Sequence, residues 1–136
     1  MGTCITLTKD TPRYKIDKID CGDTSGKGFM VTEIKTDGSQ SCVSRDYATY
    51  TLTRSGRTTA LYCLMPNFAE GKCYTKSTSL TFGHEIVDCN KATLRTDIKV
   101  NKRIDGKADR SLCQSGQTPR EYKTEPQRTY CLSPAK

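Results

Sequence analysis

The chain has 136 residues, of which 34% are hydrophobic and none is Trp, and its formal net charge is +7. No window of about 18 consecutive apolar residues occurs, which excludes a helix long and apolar enough to span a membrane. The eight cysteines are typical of an exported protein, because disulfides persist in an oxidising compartment. We therefore expect an export signal or anchor upstream in the native chain. The alternative is a cytosolic protein with free thiols.

The first half of the chain predicts strands around one segment of weak helical character. Four strands are predicted, at residues 5–9, 14–19, 29–34 and 58–64, from their alternation of apolar and polar side chains. The turn signal Asp10-Thr11-Pro12 joins the first two strands as a hairpin. We expect a surface loop at residues 25–28 and a short helix at residues 42–50. Pro66 is expected to end the last strand.

The second half repeats this order of elements. Its four predicted strands are at residues 74–77, 85–87, 96–100 and 128–132. Phe82-Gly83 lies near the turn of the hairpin that the first two strands form, and Pro134 ends the last strand. Gly116 and Pro119 favour a short helix or a turn after Cys113.

The cysteine spacing explains why the two halves agree. The cysteines form two sets, Cys4, Cys21, Cys42 and Cys63 followed by Cys73, Cys89, Cys113 and Cys131. The gaps are 17, 21 and 21 residues in the first set and 16, 24 and 18 residues in the second. Ile19-Asp20-Cys21 matches Val87-Asp88-Cys89, and the pattern Cys-Leu-x-Pro ends both sets. We interpret the chain as a tandem repeat of two four-cysteine modules, residues 1–68 and 69–136.

These elements predict a β-rich α+β fold: two small, disulfide-stapled antiparallel sheet modules, each with a short helix or turn segment. In a hairpin, the start of the first strand lies opposite the end of the second, with Cβ atoms about 4.5–5.5 Å apart, near the reach of a disulfide. That geometry favours the pairs Cys4–Cys21 and Cys73–Cys89, and leaves Cys42–Cys63 and Cys113–Cys131. A nested arrangement, first cysteine with fourth and second with third, is the alternative.

Four short motifs carry a resemblance to a known group of secreted modules. They are Gly2-Thr3-Cys4, Ile19-Asp20-Cys21, Cys42 with the following Tyr47 and Tyr50, and Leu61-Tyr62-Cys63-Leu64. This pattern resembles the actinobacterial LppU-type lipoprotein domains and the related septum-formation domains, over residues 2–66 and more loosely over 71–134. The septum-formation domains usually have Pro-His after the second cysteine, where this chain has Asp23-Thr24, so the LppU type is the nearer. The resemblance implies an envelope-exposed, non-catalytic domain, often attached to a lipid anchor or a membrane helix.

No motif brings together the residues of a common catalytic or metal site. The shortest cysteine gap within a set is 16 residues, whereas structural zinc sites need pairs two to four residues apart. His84, the single histidine, falls in a predicted strand, where we favour a surface residue over a catalytic base. Asp17 and Asp20, like Glu85 and Asp88, lie three residues apart, so a strand directs them to opposite faces. We expect Asp20 and Asp88 to accept hydrogen bonds from turn amides, and we predict no catalytic residue, metal or cofactor.

Two basic clusters are the candidate binding residues. They are Arg54 with Arg57, and Lys99, Lys102, Arg103, Lys107 and Arg110. Export argues against nucleic acid and favours an envelope protein or an anionic wall or lipid component as the partner, although such charge also serves merely to solvate a surface. We predict a non-enzymatic binding or scaffolding domain at the cell envelope. The alternative is a secreted inhibitor or effector that inserts the loop at residues 54–57 into another protein.

Reduction of the disulfides should loosen both halves of the molecule. Closing loops of about 16–24 residues contributes roughly 3 kcal/mol per bond in the chain-entropy model, which is comparable to the whole stability of so small a module. We expect excess reductant to lower the melting temperature followed by circular dichroism. An unchanged melting curve from protein whose cysteines have become accessible to alkylation would contradict this prediction.

Overall fold

The computed structural model describes residues 2–10, 13–38, 41–76, 83–92 and 97–135. Five strands lie in the first half: β1 Cys4–Asp10, β2 Arg13–Ile19, β3 Ser25–Lys35, β4 Ala48–Arg54 and β5 Arg57–Phe68. Five more lie in the second half: β6 Cys73–Lys76, β7 His84–Val87, β8 Ile98–Asp105, β9 Thr118–Tyr122 and β10 Arg128–Pro134. Two short 3-10 helices are present, Cys89–Lys91 and Arg110–Leu112.

The strands form two antiparallel sheets with the same strand order. The first sheet runs β2-β1-β3-β5-β4 and the second runs β7-β6-β8-β10-β9. The hairpins also agree in register, since Cys4 lies opposite Ile19 in the first and Cys73 lies opposite Val87 in the second. The fold is therefore β-rich, with one sheet in each half of the chain.

Four disulfides cross-link the sheets as the hairpin geometry predicts. The bonds are Cys4–Cys21, Cys42–Cys63, Cys73–Cys89 and Cys113–Cys131, and no cysteine is free among the described residues. The nested alternative is wrong, because each hairpin places its first cysteine beside the cysteine that follows its second strand. Four disulfides indicate that the chain folds in an oxidising compartment.

The α part of the predicted α+β fold is wrong. Residues 43–47 form bends and a turn, and β4 begins at Ala48. Two contacts draw this segment across to the second sheet: the Tyr47 hydroxyl accepts a hydrogen bond from the Thr124 amide at 2.8 Å, and Asp46 Oδ2 accepts one from the Glu121 amide at 2.8 Å. In the second half, a short helix or a turn was predicted after Cys113, and the structure has a turn there. A 3-10 helix, Arg110–Leu112, lies just before Cys113.

Neither β4 nor β9 is among the predicted strands, and some predicted strand ends differ from the observed ones. Pro66 does not end β5, which continues to Phe68 because Pro66 and Phe68 still pair with Phe29 and Ser25 of β3. The predicted surface loop at residues 25–28 is the start of β3. The predicted turn residues Thr11, Pro12 and Phe82 and the predicted strand ends Ser77 and Thr96 lie outside the described residues.

The start of β3 touches the second sheet, which explains why it is not a surface loop. Gly26 has a φ of 95°, and a Cβ added there would lie 2.8 Å from the Tyr74 ring and 2.9 Å from the His84 carbonyl oxygen. Only glycine allows both that conformation and that approach. The Tyr74 hydroxyl donates to the Thr24 carbonyl at 2.8 Å, so β6 and the residues before β3 are held together.

The larger hydrophobic core lies between the two sheets. It contains residues of the first sheet and its loops, Tyr47, Leu61, Cys63, Met65 and Phe68, and of the second sheet, Tyr74, Val100, Tyr122, Tyr130 and Leu132. A smaller cluster, Ile5, Leu7, Phe29, Val31 and Leu64, lies within the first sheet. Because the main core draws on both halves, each sheet depends on the other for much of its buried apolar surface.

Tyr130 is the polar centre of this contact between the sheets. Its fully buried hydroxyl donates to the Pro66 carbonyl at 2.7 Å and accepts from the Phe68 amide at 2.9 Å and from Arg128 Nη1 at 3.1 Å. Arg128, itself 5% exposed, also donates through Nε to Asp105 at 2.7 Å. The buried Tyr130 hydroxyl is therefore satisfied by groups of both sheets at this junction, and the buried Arg128 is satisfied by Tyr130 and by the exposed Asp105.

Removing the Tyr130 hydroxyl should destabilise the protein without removing its ring packing. Tyr130→Phe leaves the buried Pro66 carbonyl and Phe68 amide without that partner, which should cost about 1–3 kcal/mol in the free energy of unfolding measured with urea. Tyr62→Phe is the control, because Tyr62 is half-buried in the first sheet, and should change stability by roughly 0.5 kcal/mol or less. Equal stability of the two variants would contradict the assigned role.

Candidate functional site

A cleft of about 1270 Å³ opens in the first sheet. Its floor is formed by three buried apolar side chains, Leu7, Phe29 and Leu64. One wall comes from Tyr14 and Ile16 of β2, and the other from residues 48–55 of β4 and the loop after it. Apolar clefts with a few polar groups at the rim are the usual form of a ligand site.

The cleft exists because the first sheet curls towards closure. Strands β2 and β4 are its opposite edges, yet the Tyr14 and Tyr50 rings meet edge to face with centroids 5.9 Å apart. Tyr50 contacts Tyr62 in the same way, also at 5.9 Å. The sheet therefore resembles a barrel left open between its two edge strands.

Strand register places the apolar side chains on the concave face. Leu7 lies opposite Ile16 in β1 and β2, and Tyr50 lies opposite Tyr62 in β4 and β5. Since side chains alternate between the faces of a strand, every second residue of these strands points inward. This alternation gathers the aliphatic floor and the tyrosine rim in one hollow.

Both the inward-facing side chains of β4 and its backbone edge line the cleft. Eight consecutive residues, 48–55, line the cleft. Side chains of neighbouring strand residues point to opposite faces, so an uninterrupted run of lining residues means that the cleft follows the backbone edge of β4. The backbone of this edge therefore contributes to the site along with its side chains.

The predicted binding residues Arg54 and Arg57 lie at one end of this wall. They face each other at the ends of β4 and β5, and both are exposed. The loop between them is Ser55-Gly56, with φ values of 53° and 76°, as a tight two-residue hairpin requires. Arg54 lines the cleft, so the site has a positively charged end.

The other predicted binding residues lie in the second sheet. Lys99, Lys102 and Arg103 are on β8, and Lys107 and Arg110 follow it. The structure therefore divides the seven candidates between the two sheets.

Arg103 is engaged in the contact between the sheets. Its Nη1 donates to Asn67 Oδ1 at 2.9 Å and to the Phe68 carbonyl at 2.8 Å. Asn67 Nδ2 in turn donates to the Cys21 and Asp23 carbonyls at 2.6 and 2.9 Å. These bonds give Arg103 a structural role in this junction.

Asp105 is held between two arginines at the same junction. Its Oδ1 lies 3.2 Å from Arg103 Nε and 2.7 Å from Arg128 Nε. Burial acts to raise the pKa of Asp105, but the hydrogen bond from Arg103 and the charge and hydrogen bond of Arg128 together lower the pKa below its ordinary 3.8. The carboxylate therefore remains ionised in the folded protein at neutral pH.

The structure also places the carboxylates and the histidine that were considered as catalytic candidates. Asp20 accepts a hydrogen bond from the Gly22 amide at 2.8 Å and Asp88 from the Asn90 amide at 2.9 Å, which confirms the predicted turn bonds. His84 lies in β7, half-buried, with its ring 5.2 Å from the Phe68 ring. In the part of the chain that the structure describes, no three His, Cys, Asp or Glu residues come together as a metal site would require, and no helix has the length and apolarity to cross a membrane.

Comparisons with protein families, curated proteins and solved structures find no match for this chain. The similarity to LppU-type domains accordingly stays a prediction. The case for a site depends on the geometry of the cleft itself.

The charged end of this cleft was predicted from the sequence, but its apolar part was not. Tyr14, Ile16, Tyr50 and Leu52 line the cleft, and of these four residues only Tyr50 belongs to one of the four motifs. The signal that could have found one wall is the strict alternation in ATYTLTR at Ala48–Arg54, since threonine, tyrosine and leucine at period two are typical of a strand.

The carboxylate of Asp105, which two arginines contact, should make the free energy of unfolding depend on pH in the acidic range. Because the pKa of Asp105 is lower in the folded state, its contribution is present above the ordinary pKa of 3.8 and is lost as pH falls through the folded pKa. Asp105→Asn should lower the free energy of unfolding at neutral pH by about 1 kcal/mol and should reduce the loss of stability on acidification. Urea unfolding between about pH 7 and pH 2 measures both effects.

The matched control for this prediction is Asp17→Asn. Asp17 makes only a 3.9 Å surface pair with Lys15, and such pairs contribute little. If Asp105→Asn and the wild type lost stability identically with falling pH, the two arginine contacts would not stabilise the carboxylate.

Proposed function

We propose that the protein is an exported, non-enzymatic binding domain of the cell envelope and that its ligand occupies the cleft of the first sheet. The four disulfides support export. The resemblance to LppU-type domains supports the envelope location and attachment through a lipid anchor or membrane helix. The matching cysteine spacing and strand order of the two halves support a tandem repeat of two modules. The partner is an envelope protein or an anionic wall or lipid component.

The open cleft is the observation that carries this proposal. Its floor is apolar, its rim has two tyrosines, and Ile16 at its mouth is 38% exposed. Exposed apolar surface in a concave site favours a binding role. Among the described residues that line the cleft, Arg54 is the charged one, so the lining offers a surface for recognition rather than paired groups for proton transfer.

A second candidate function is a secreted inhibitor or effector of another protein. The hairpin loop at Ser55-Gly56 favours it, because a tight two-residue turn with an exposed arginine on either side presents a rigid tip. The two functions differ in the partner, which is part of the envelope in the first and diffusible in the second.

A single charge in the cleft should weaken binding to the envelope. Ile16→Lys places an ammonium group at the mouth, and a ligand that covers the apolar rim would have to desolvate this charge, which should weaken binding by roughly tenfold or more. The measurement is co-sedimentation of the oxidised, purified protein with washed envelope fragments over a range of protein concentrations.

Ile34→Lys is the matched control for this experiment. Ile34 is also on a strand of the first sheet and is 40% exposed, but it does not line the cleft. It should bind as the wild type does. Equal binding by both lysine variants and the wild type would show that the cleft is not the site.

A further inference from the structure

The edge strands of the two sheets differ in how well they are protected from pairing with another chain. β2, with the sequence RYKIDKI, has charged residues along its length, β7 has only four residues, and β9 contains Pro119. Charges, shortness and proline are the usual means of blocking an edge. β4, with the sequence ATYTLTR, has seven residues and no charge before Arg54.

The free side of β4 presents backbone groups to the cleft. Within the described residues, β5 is the one strand that pairs with β4. Arg54 and Arg57 flank a two-residue loop and form the first hydrogen-bonded pair of the hairpin. Counting back from that pair, Thr53, Thr51 and Thr49 direct their N–H and C=O groups away from β5.

An irregularity in this hairpin does not disturb the count. The register shifts between Leu52 and Thr53, whose partners are Ala60 and Thr58. The extra residue, Thr59, therefore lies in β5. Alternation along β4 is therefore uninterrupted, and the backbone groups of Thr49, Thr51 and Thr53 all lie on the edge that faces away from β5.

We propose that β4 binds an extended peptide segment of a partner protein by strand addition, with an acidic side chain of the peptide beside Arg54 and Arg57. This inference rests on the proposed function and names the ligand of the same cleft. Backbone hydrogen bonds to the outward edge of β4 hold the added strand, and its alternate side chains enter the hollow over Leu7 and Phe29.

Charge and geometry favour an acidic peptide over a second copy of this chain. The net charge of +7 makes two copies repel each other, whereas Arg54 and Arg57 attract a carboxylate. The curled sheet is open between β2 and β4, so an added strand would extend the sheet towards closure. Seven residues of β4 match a peptide of about that length.

The test uses a defined probe, the peptide acetyl-Glu-Val-Thr-Val-Thr-Val-Glu-amide with a fluorophore. Glutamate at both ends allows either strand direction. Its binding to the oxidised protein is measured by fluorescence anisotropy, with hydrogen exchange of the Thr49, Thr51 and Thr53 amides followed by NMR. We expect binding to slow exchange at these three amides, because pairing protects them from solvent.

Two N-methylated peptides test whether one backbone edge is used. One carries N-methyl groups on its valines and the other on its threonines, so each blocks a different edge of the strand. We expect one of them to bind more weakly by roughly tenfold or more while the other binds nearly as well as the parent. A peptide with lysine in place of glutamate should bind more weakly than the parent, by a factor that falls at high salt.

Thr51→Pro tests the protein side. It removes an outward N–H from an edge strand, a position where proline is tolerated, and should weaken peptide binding by roughly tenfold or more. Thr51→Ala keeps the N–H and should bind as the wild type does. Circular dichroism and intact disulfides confirm that both variants fold, and the N-methylated peptides give the same test without any variant.

Three outcomes would overturn strand addition. One is unchanged exchange of the three threonine amides on binding, another is equal binding by Thr51→Pro and Thr51→Ala, and a third is no binding of any probe while envelope binding remains sensitive to Ile16→Lys. The last would leave the proposed function standing. Dimerisation of the protein alone that Thr51→Pro abolishes would assign the edge to a second copy instead.

Discussion

Strand β5 is buried on both of its faces, and the rest of the molecule depends on this arrangement. From Ala60 to Phe68 nearly every residue is buried. Leu64 points into the hollow of the first sheet, while Cys63 and Met65 point into the core shared with the second sheet. Because side chains alternate along a strand, one strand supplies the floor of the cleft and the main contact between the sheets. A substitution at Cys63 or Met65 in the shared core would therefore lie next to Leu64 in the floor of the cleft.

Buried hydrogen bonds and disulfides hold β5 and the two sheets in place, in a chain that has few hydrophobic residues. Tyr130, Arg128 and Arg103 satisfy the backbone of Pro66 and Phe68, where β5 meets the second sheet. Each disulfide closes a loop of 16 to 21 residues within one sheet. Covalent bonds therefore hold each sheet, and the buried hydrogen bonds fix the sheets against each other. A cleft on so constrained a sheet is largely formed before any ligand arrives, which lowers the entropic cost of binding.

The uncharged edge of β4 has a physical cost, which the proposed binding role would explain. A long, uncharged edge invites pairing with other chains and so favours aggregation. The other edges of the two sheets are short, charged or interrupted by proline. Alternation in ATYTLTR exposes its threonines and half-buries Ala48, Tyr50 and Leu52. In the proposed strand addition, this strand would present both a backbone edge and apolar side chains, and Arg54 and Arg57 would add charge selectivity at one end.

The features that depend on neighbours along the chain could be predicted from local sequence patterns. The hairpins follow from the alternation of side chains, and they favour the pairs Cys4–Cys21 and Cys73–Cys89, because a hairpin brings residues 16 or 17 positions apart into contact. Cys42–Cys63 and Cys113–Cys131 were left by that assignment, and the structure excludes the nested pairing. The number of cysteines favours an oxidising compartment. Tertiary contacts make residues 43–47 turn instead of forming a helix, bring Arg103 to Asn67, and bring Tyr14 to Tyr50 across the cleft. Those contacts join segments that are far apart in the sequence, so local patterns do not predict them. They depend on how the first sheet curls and on how it packs against the second.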